Sequence, residues 1–447
     1  MTAGTVVSAE VRAADAIRRV LATQWDGDPA VRLDSPPGAG KTGVVERLAA
    51  QSLGNMQERC MIATQTNEQA FDVARRIAQN YPRLSPYLFA RKDLAVPPVL
   101  AGLGNLNIVR STNDLPQGPC IVISNAVKWS WLKGSVPEFD LQVVDEAFQL
   151  PDYRFLQIAS LARRFVLVGD PGQIPPVVTC EIERWRSDKV GPHVACPFAL
   201  TERFPQVIRL ALPVSRRLVA DTVRFVQPAF YPTLPFEALA APGSRSLTLT
   251  LPLSGRQPID AALDSARGGA SLISVELPAR ITGEVDEELS QTIVNMIEHL
   301  MDRRAGLSID GRRVVVGPEM IGVVCAHVSQ VSAVRERLPR NLSDVFVETS
   351  DRFQGLERPL MIVHHPLSGR ADASAFHLDA GRLCVMMSRH SVACWLVGRA
   401  GIEAQLLRYA PVGDRVLGVD ADSEYEGWRA HLYIAQELKA ANRVVTL

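Results

Sequence analysis

SPPGAGKT, Ser35–Thr42, stands between an apolar run and a helical pattern. It approaches the phosphate-cradling sequence Gly-x-x-x-x-Gly-Lys-[Ser/Thr], with Ser35 in place of the first glycine. AVRLD (30–34) before it and TGVVERLAAQSL (42–53) after it give the strand–loop–helix order that such a loop requires. Backbone N–H groups of Gly38, Ala39 and Gly40 and at the helix start would hold a β-phosphate, with Pro37, which has no N–H to give, shaping the same cofactor-binding loop. Lys41 would reach the β- and γ-phosphates, and the Thr42 hydroxyl would ligate Mg2+. Gly38 and Gly40 allow close backbone approach, and a serine is tolerated at 35 if its φ is negative. Taken alone, the same loop also suits a helix-capping turn with no ligand.

Partner carboxylates belong at the end of a neighbouring apolar strand, and LQVVDEAFQ (141–149) supplies them. Asp145 would hold Mg2+, and Glu146 would polarise an attacking water as general base. Two solvated acids ending a strand are the alternative, which the loop about 100 residues upstream disfavours. VLVGDPGQIPP (166–176) is a further apolar strand ending in Gly-Asp. It places Gln173 to sense a γ-phosphate, though a Gly-Asp-Pro-Gly turn also has a purely structural reading.

The remaining sequence sets these motifs in a frame. A chain of 447 residues suggests two or three domains, and 47% hydrophobic residues are enough for more than one core. With 48 basic and 48 acidic residues there is no global basic field, which leaves room only for a local basic groove. Seven scattered cysteines without a Cys-x-x-Cys pair suit reduced thiols in a cytoplasmic protein. No apolar run approaches the ~20 residues of a membrane span, and the N-terminus lacks the apolar core of a signal peptide. Strands are expected at 30–34, 59–65, 120–125, 141–147 and 164–170. A second set is expected at 272–277, 321–327, 345–351, 360–366 and 393–399. Continuous apolar runs of this kind fit strands buried on both faces of a parallel sheet. NEQAFDVARRIAQ and QTIVNMIEHLMDRR between them carry apolar residues at helical spacing. The alternation predicts an α/β, doubly wound fold in two domains, 1–203 and 204–447. The stretch 231–270, rich in Pro, Gly and Ser, reads as a surface excursion, and 81–118 as a second irregular segment.

The run of motifs resembles the superfamily 1 helicases, nucleic-acid translocases built from two tandem RecA-like domains. SPPGAGKT is similar to motif I, ATQTNEQA (63–70) to motif Ia, VVDEAFQ to motif II and GDPGQIPP to motif III. LPVSRR (212–217) is similar to motif IV, ETSDRFQGLERPLMIV (348–363) to motif V and RLCVMMSRHSVACWLVG (382–398) to motif VI. VCAHVSQVSAVRERL (324–338) resembles the segment before motif V. The similarity runs from about residue 30 to 400, closest in flavour to the branch with RNA-decay and 5′-to-3′ DNA helicases. It implies ATP and Mg2+ as cofactors, Arg216 and Arg389 as arginine fingers, and Gly355 and Glu357 near the ribose. It also implies single-stranded DNA or RNA as partner, a monomeric core and little accessory insertion. Thr66 and Asn67, Ser124 with Asn125, and Thr349 with Ser350 become backbone contacts. Trp129 and Trp131 in AVKWSW offer base stacking, with Lys128 and Lys133 nearby and ordinary packing as the alternative. Two family features are missing. Motif IV lacks the aromatic residue often found before its arginine, and the upstream adenine-reading glutamine is absent. SAEVRAADAIRRVL (8–21) has no adenine-reading glutamine; Ala13 stands near the expected place, and Gln24 lies too close to the loop.

Three functions are compatible with these residues. The first is an ATP-driven translocase or helicase, and the second a nucleic-acid-responsive ATPase switch that clamps without unwinding. The third is a small-molecule kinase, which has no need of the Arg216 and Arg389 motifs. The C-terminal YEGWRAHLYIAQELKAANRVVTL (425–447) reads as a helix packed on the second domain.

Overall fold

Runs of β-branched and apolar residues, bounded by polar turns, form the strands of two parallel sheets. The computed structural model describes residues 8–132, 136–178, 181–185, 188–251, 258–408 and 423–447; Lys133 and Cys180 lie outside the described residues. The chain divides into two compact units, Met1–Pro171 with Pro175–Pro213, and Gly172–Ile174 with Val214–Leu447.

The first unit holds strands β1 (Ala30–Asp34), β2 (Arg59–Thr64), β3 (Tyr87–Phe89), β4 (Asn107–Val109), β5 (Cys120–Asn125), β6 (Phe139–Val144), β7 (Ala162–Gly169) and β8 (Ile208–Ala211). Their order is β4-β3-β5-β2-β6-β7-β1-β8, with every pair parallel. Because side chains alternate across a strand, β2 serves two cores. Cys60 and Ile62 pack with Val44, Leu48 and Ile77 from the helices Lys41–Gly54 and Asn67–Asn80. Met61 and Ala63 pack on the other face with Trp129, Phe155 and Ile158.

The second unit repeats the plan with β9 (Leu272–Leu277), β10 (Ile321–Cys325), β11 (Phe346–Thr349), β12 (Arg358–His364), β13 (His390–Arg399) and β14 (Val444–Thr446). Their order is β11-β10-β12-β13-β9-β14, again parallel throughout. One face is covered by Ile259, Ile293, Ile297 and Val331 of three helices. The other is covered by Phe225, Leu383, Met386, Ile434 and Leu438, so the C-terminal helix Ser423–Ala440 is part of this unit's core. The expected α/β architecture with two mainly parallel sheets is therefore present.

Two expectations need correction. The boundary falls at Pro213 and Val214, not at 203 and 204, because β8 pairs with β1 and belongs to the first sheet. The supposed excursion at 231–270 contains a strand, Arg245–Leu249, and a helix, Pro258–Arg267. That strand joins Ala305–Ile309 and Arg312–Val315 in an antiparallel ribbon, closed by Asp310 and Gly311 at φ 50° and 87°. Positive φ at both central residues is the two-residue hairpin that Asp-Gly favours.

Candidate nucleotide site and nucleic-acid edge

Asp34 ends β1, and the next residue settles the question of the missing glycine. Ser35 is buried, donates its N–H to the Gly169 carbonyl at 2.8 Å, and is absent from the positive-φ residues. Gly38 and Gly40 do need the left-handed region, at φ 69° and 87°. Gly40 begins the helix Lys41–Gly54 with no side-chain cap, so the first N–H groups of that helix receive no capping oxygen. Such a terminus carries partial positive charge and suits a phosphate.

Lys41 Nζ lies 2.7 Å from each carboxylate oxygen of Glu146. The acid sits in the left-handed region at φ 55°, a conformation that costs a non-glycine residue about 1–3 kcal/mol and concentrates at functional sites. Its N–H donates to Asp145 Oδ1 at 3.0 Å. Burial pushes the Asp145 carboxyl up to about 7; the adjacent Glu146 charge adds to the rise, and Lys41 opposes it. Among the described residues no cluster of three or more His, Cys, Asp or Glu forms a metal cage. The oxygen donors of Thr42 and Asp145 fit Mg2+ instead, a cation that takes one or two protein ligands and completes its shell with phosphates and water.

The motifs assigned to the second half converge in the second unit. Gln173, expected in the first domain, groups instead with that unit and accepts from Gln354 Nε2 at 3.2 Å. A Cβ at Gly381 would lie 2.5 Å from the Gln173 carbonyl carbon, so the glycine is what lets the two segments meet. Arg216 is exposed, whereas Arg389 is buried. Gly355 takes φ 87°, which ends the short helix Ser350–Phe353 before β12. Arg217, which the sequence reading passed over, donates Nε to Glu357 at 2.5 Å and Nη1 to the Ser388 carbonyl at 3.1 Å. One side chain thus ties the segments of motifs IV, V and VI together; the doubled arginine in LPVSRR was the available signal.

The proposed nucleic-acid contacts divide. Thr66 is exposed and forms a capping box with Gln69. Asn125 donates to Asn67 at the carboxyl ends of the paired strands β5 and β2. Thr349 is half-buried at the end of β11. Three others are corrected. Trp129 is 0% exposed, packs against Phe89 and Phe139, and donates Nε1 to the Ile62 carbonyl at 3.0 Å, so it stacks no base. Ser124 is buried and its hydroxyl donates to the Phe89 carbonyl at 2.6 Å. Ser350 is buried and accepts from Arg382 Nη1 at 2.6 Å. Trp131, by contrast, is 80% exposed. Gln24 is buried and bonded to Ser52 Oγ at 2.7 Å, a structural role.

A sequence-family model described as an AAA domain matches residues 282–401, which include β10, β11 and β12. The chain is 26% identical over 274 residues to the DNA replication ATP-dependent helicase/nuclease dna2 of Schizosaccharomyces pombe, covering 58% of this chain and 18% of that protein. It is 24% identical over 340 residues to the mouse DNA replication ATP-dependent helicase/nuclease DNA2, covering 73% of this chain and 30% of that protein. The resemblance to superfamily 1 helicases holds. Among solved structures, the Arterivirus nonstructural protein 10 helicase is 15% identical with a TM-score of 0.44, covering 86% of this chain and 61% of that one. Its complex with DNA gives 16% and 0.42, covering 86% and 63%. The chain spans less than a third of the length of either curated relative.

Proposed function

We propose that this chain hydrolyses ATP with Mg2+ and couples the reaction to movement along single-stranded nucleic acid, as a superfamily 1 helicase or translocase of the cytoplasm. The observation that carries the reading is the Lys41–Glu146 pair, 2.7 Å long, at the uncapped start of a helix and beside a buried Asp145. A lysine held on a glutamate at a phosphate-binding terminus is a cation waiting for a stronger anion. When phosphates draw Lys41 away, Glu146 is released to accept a proton from water as general base. Thr42 and Asp145 would hold Mg2+, which supplies positive charge to the phosphate oxygens. Arg216 and Arg389 take the role of the further positive charges that phosphoryl transfer needs, and Gln173 that of the γ-phosphate sensor. Glu357 and Gly355 would serve the ribose, and Thr66, Asn67, Asn125 and Thr349 the strand. Both curated relatives are named as DNA replication enzymes, so single-stranded DNA is the first strand to try.

The test is ATP turnover with and without single-stranded DNA or RNA, followed by strand displacement on tailed duplexes. Stimulation with displacement is the expected result. Stimulation without displacement would assign the chain to the clamping switch instead, and no stimulation by any nucleic acid would refute the reading.

A further inference from the structure

The helicase-like motifs leave a concave region of the second unit unused. A cavity of about 640 Å³ lies among the loops that follow β9, β12 and β13, at residues 279–281, 367–373 and 399–408. These strands are parallel, so the loops all leave the sheet from its carboxyl edge. From β10 the chain steps outward to β11, and from β12 it steps the other way to β13. The order reverses between β10 and β12, where open α/β sheets bind ligands outside the carboxyl ends, and the cavity lies to one side of that point, beyond the ends of β12, β13 and β9. Arg370 in the cavity wall is close enough to that point to depress the proton affinity of His327, which follows β10, and of His364, which ends β12; burial is the larger cause for both.

The lining has a definite chemistry. Ala371, Ala400, Ala404, Gly369 and Gly401 give it small walls that leave backbone accessible. Four arginines face it, with Asp372 as the acid of the lining. Arg399 is spoken for, since Asp286 and Glu288 hold it in charge-assisted bonds of 2.8 Å. Arg280 shares Glu288 at 3.3 Å and remains largely exposed. Arg370 and Arg408 make no ion pair with any described residue. The lining has no aromatic ring to stack a base. On the same edge, however, Phe376 is 41% exposed and lies 5.1 Å from the His327 ring.

We infer that this cavity binds the phosphodiester backbone of a nucleic-acid strand, with Arg370 and Arg408 as the phosphate contacts. The inference rests on the proposed action on single-stranded nucleic acid and adds a contact region that none of the helicase-like motifs supplies. Two guanidiniums that make no ion pair among the described residues, set over small residues, neutralise phosphates in bidentate fashion, and binding of this kind is independent of sequence and strongly salt-dependent.

The test uses the full chain and a fluorescent oligothymidylate, with affinity measured over a range of NaCl concentrations. Each phosphate contact on a single strand contributes about 0.7 to the slope of log K against log salt, so Arg370→Ala with Arg408→Ala should lower the slope by about 1.4 and the affinity about tenfold near physiological salt. The Arg370→Lys, Arg408→Lys variant should keep the slope, and ATP turnover without nucleic acid should be unchanged in both. An unaltered slope in the alanine variant, with the wild type binding normally, would overturn the cavity assignment alone. Tight wild-type binding of inorganic pyrophosphate, lost in the alanine variant while oligothymidylate binding stays intact, would overturn it in favour of a small polyanion. A wild-type chain that binds no oligonucleotide would overturn this inference together with the proposed function.

Discussion

Lys41 and Glu146 neutralise each other across 2.7 Å, so removing either leaves a buried charge as well as a missing reagent. Glu146→Gln keeps the size and the contact to Lys41 while removing the base. ATP turnover should fall by roughly 10²–10⁴-fold with nucleotide binding retained, as read by steady-state hydrolysis and a fluorescent nucleotide. Wild-type turnover in this variant would end the general-base assignment. The tryptophans separate stability from binding. Trp129→Ala empties a site between Phe89 and Phe139 and should cost about 3–5 kcal/mol in denaturant titration. Trp131→Ala removes an exposed ring and should change stability by less than about 0.5 kcal/mol. If Trp131 stacks a base, single-strand affinity should drop by about 1–3 kcal/mol. The pairing of the loop lysine with a strand-end acid was legible in the sequence because glycine, lysine and paired carboxylates at a strand end have few other uses together. Burial of Trp129, Ser124 and Ser350 was not, since one turn of helix or one strand residue decides whether a polar or aromatic side chain faces core or solvent.

Elements built from long apolar runs were readable, because a strand covered on both faces needs no alternation to announce itself. β3, β4 and β8 were missed for the opposite reason. They are three or four residues long and lie at or beside the sheet edges; β4 and β8 also mix half-buried with polar positions, so no run long enough to read as a strand appears. The ribbon strand Arg312–Val315 is exposed along its whole length, so its apolar residues carry no inward pattern, although Asp310-Gly311 was a hairpin signal in plain view. The C-terminal helix shows how closely such pieces are fitted. A Cβ at Gly427 would lie 1.8 Å from the Leu378 carbonyl oxygen, a backbone atom that cannot swing aside. Gly427→Ala should therefore destabilise the second unit by at least about 1–3 kcal/mol, despite alanine's better helix propensity. A thermal midpoint at or above the wild type's would show that the helix is free to shift.

Histidine is distributed unevenly between the two units, and this gives the chain an acid-sensitive half. His193 lies in the first unit, and His299, His327, His364, His365, His377, His390 and His431 lie in the second. Burial pushes His390 and His431 down to about 3 and His364 to about 4, with His365 also well below its ordinary value. His390 is further lowered by the Arg217 charge, and its Nε2 lies 2.7 Å from Thr222 Oγ1 inside the fold. In the unfolded chain His364, His390 and His431 each take up a proton near pH 6.5, whereas the folded unit refuses it until about pH 3 or 4. The unfolded state therefore binds more protons over that interval, and folding stability falls as pH drops below about 6.5, by about 1.4 kcal/mol per pH unit for each such histidine. Since a domain is stable by only about 5–15 kcal/mol, the second unit should open first on acidification. Hydrogen exchange followed by mass spectrometry between pH 8 and pH 5 should show protection lost across β9 to β14 while β1 to β8 stay protected. His390→Gln, which retains a hydrogen-bonding group beside Thr222, should flatten the pH dependence of the second unit's stability by about 1.4 kcal/mol per pH unit. Equal loss of protection in both units, or an unchanged slope in that variant, would mean that the buried imidazoles do not govern acid stability.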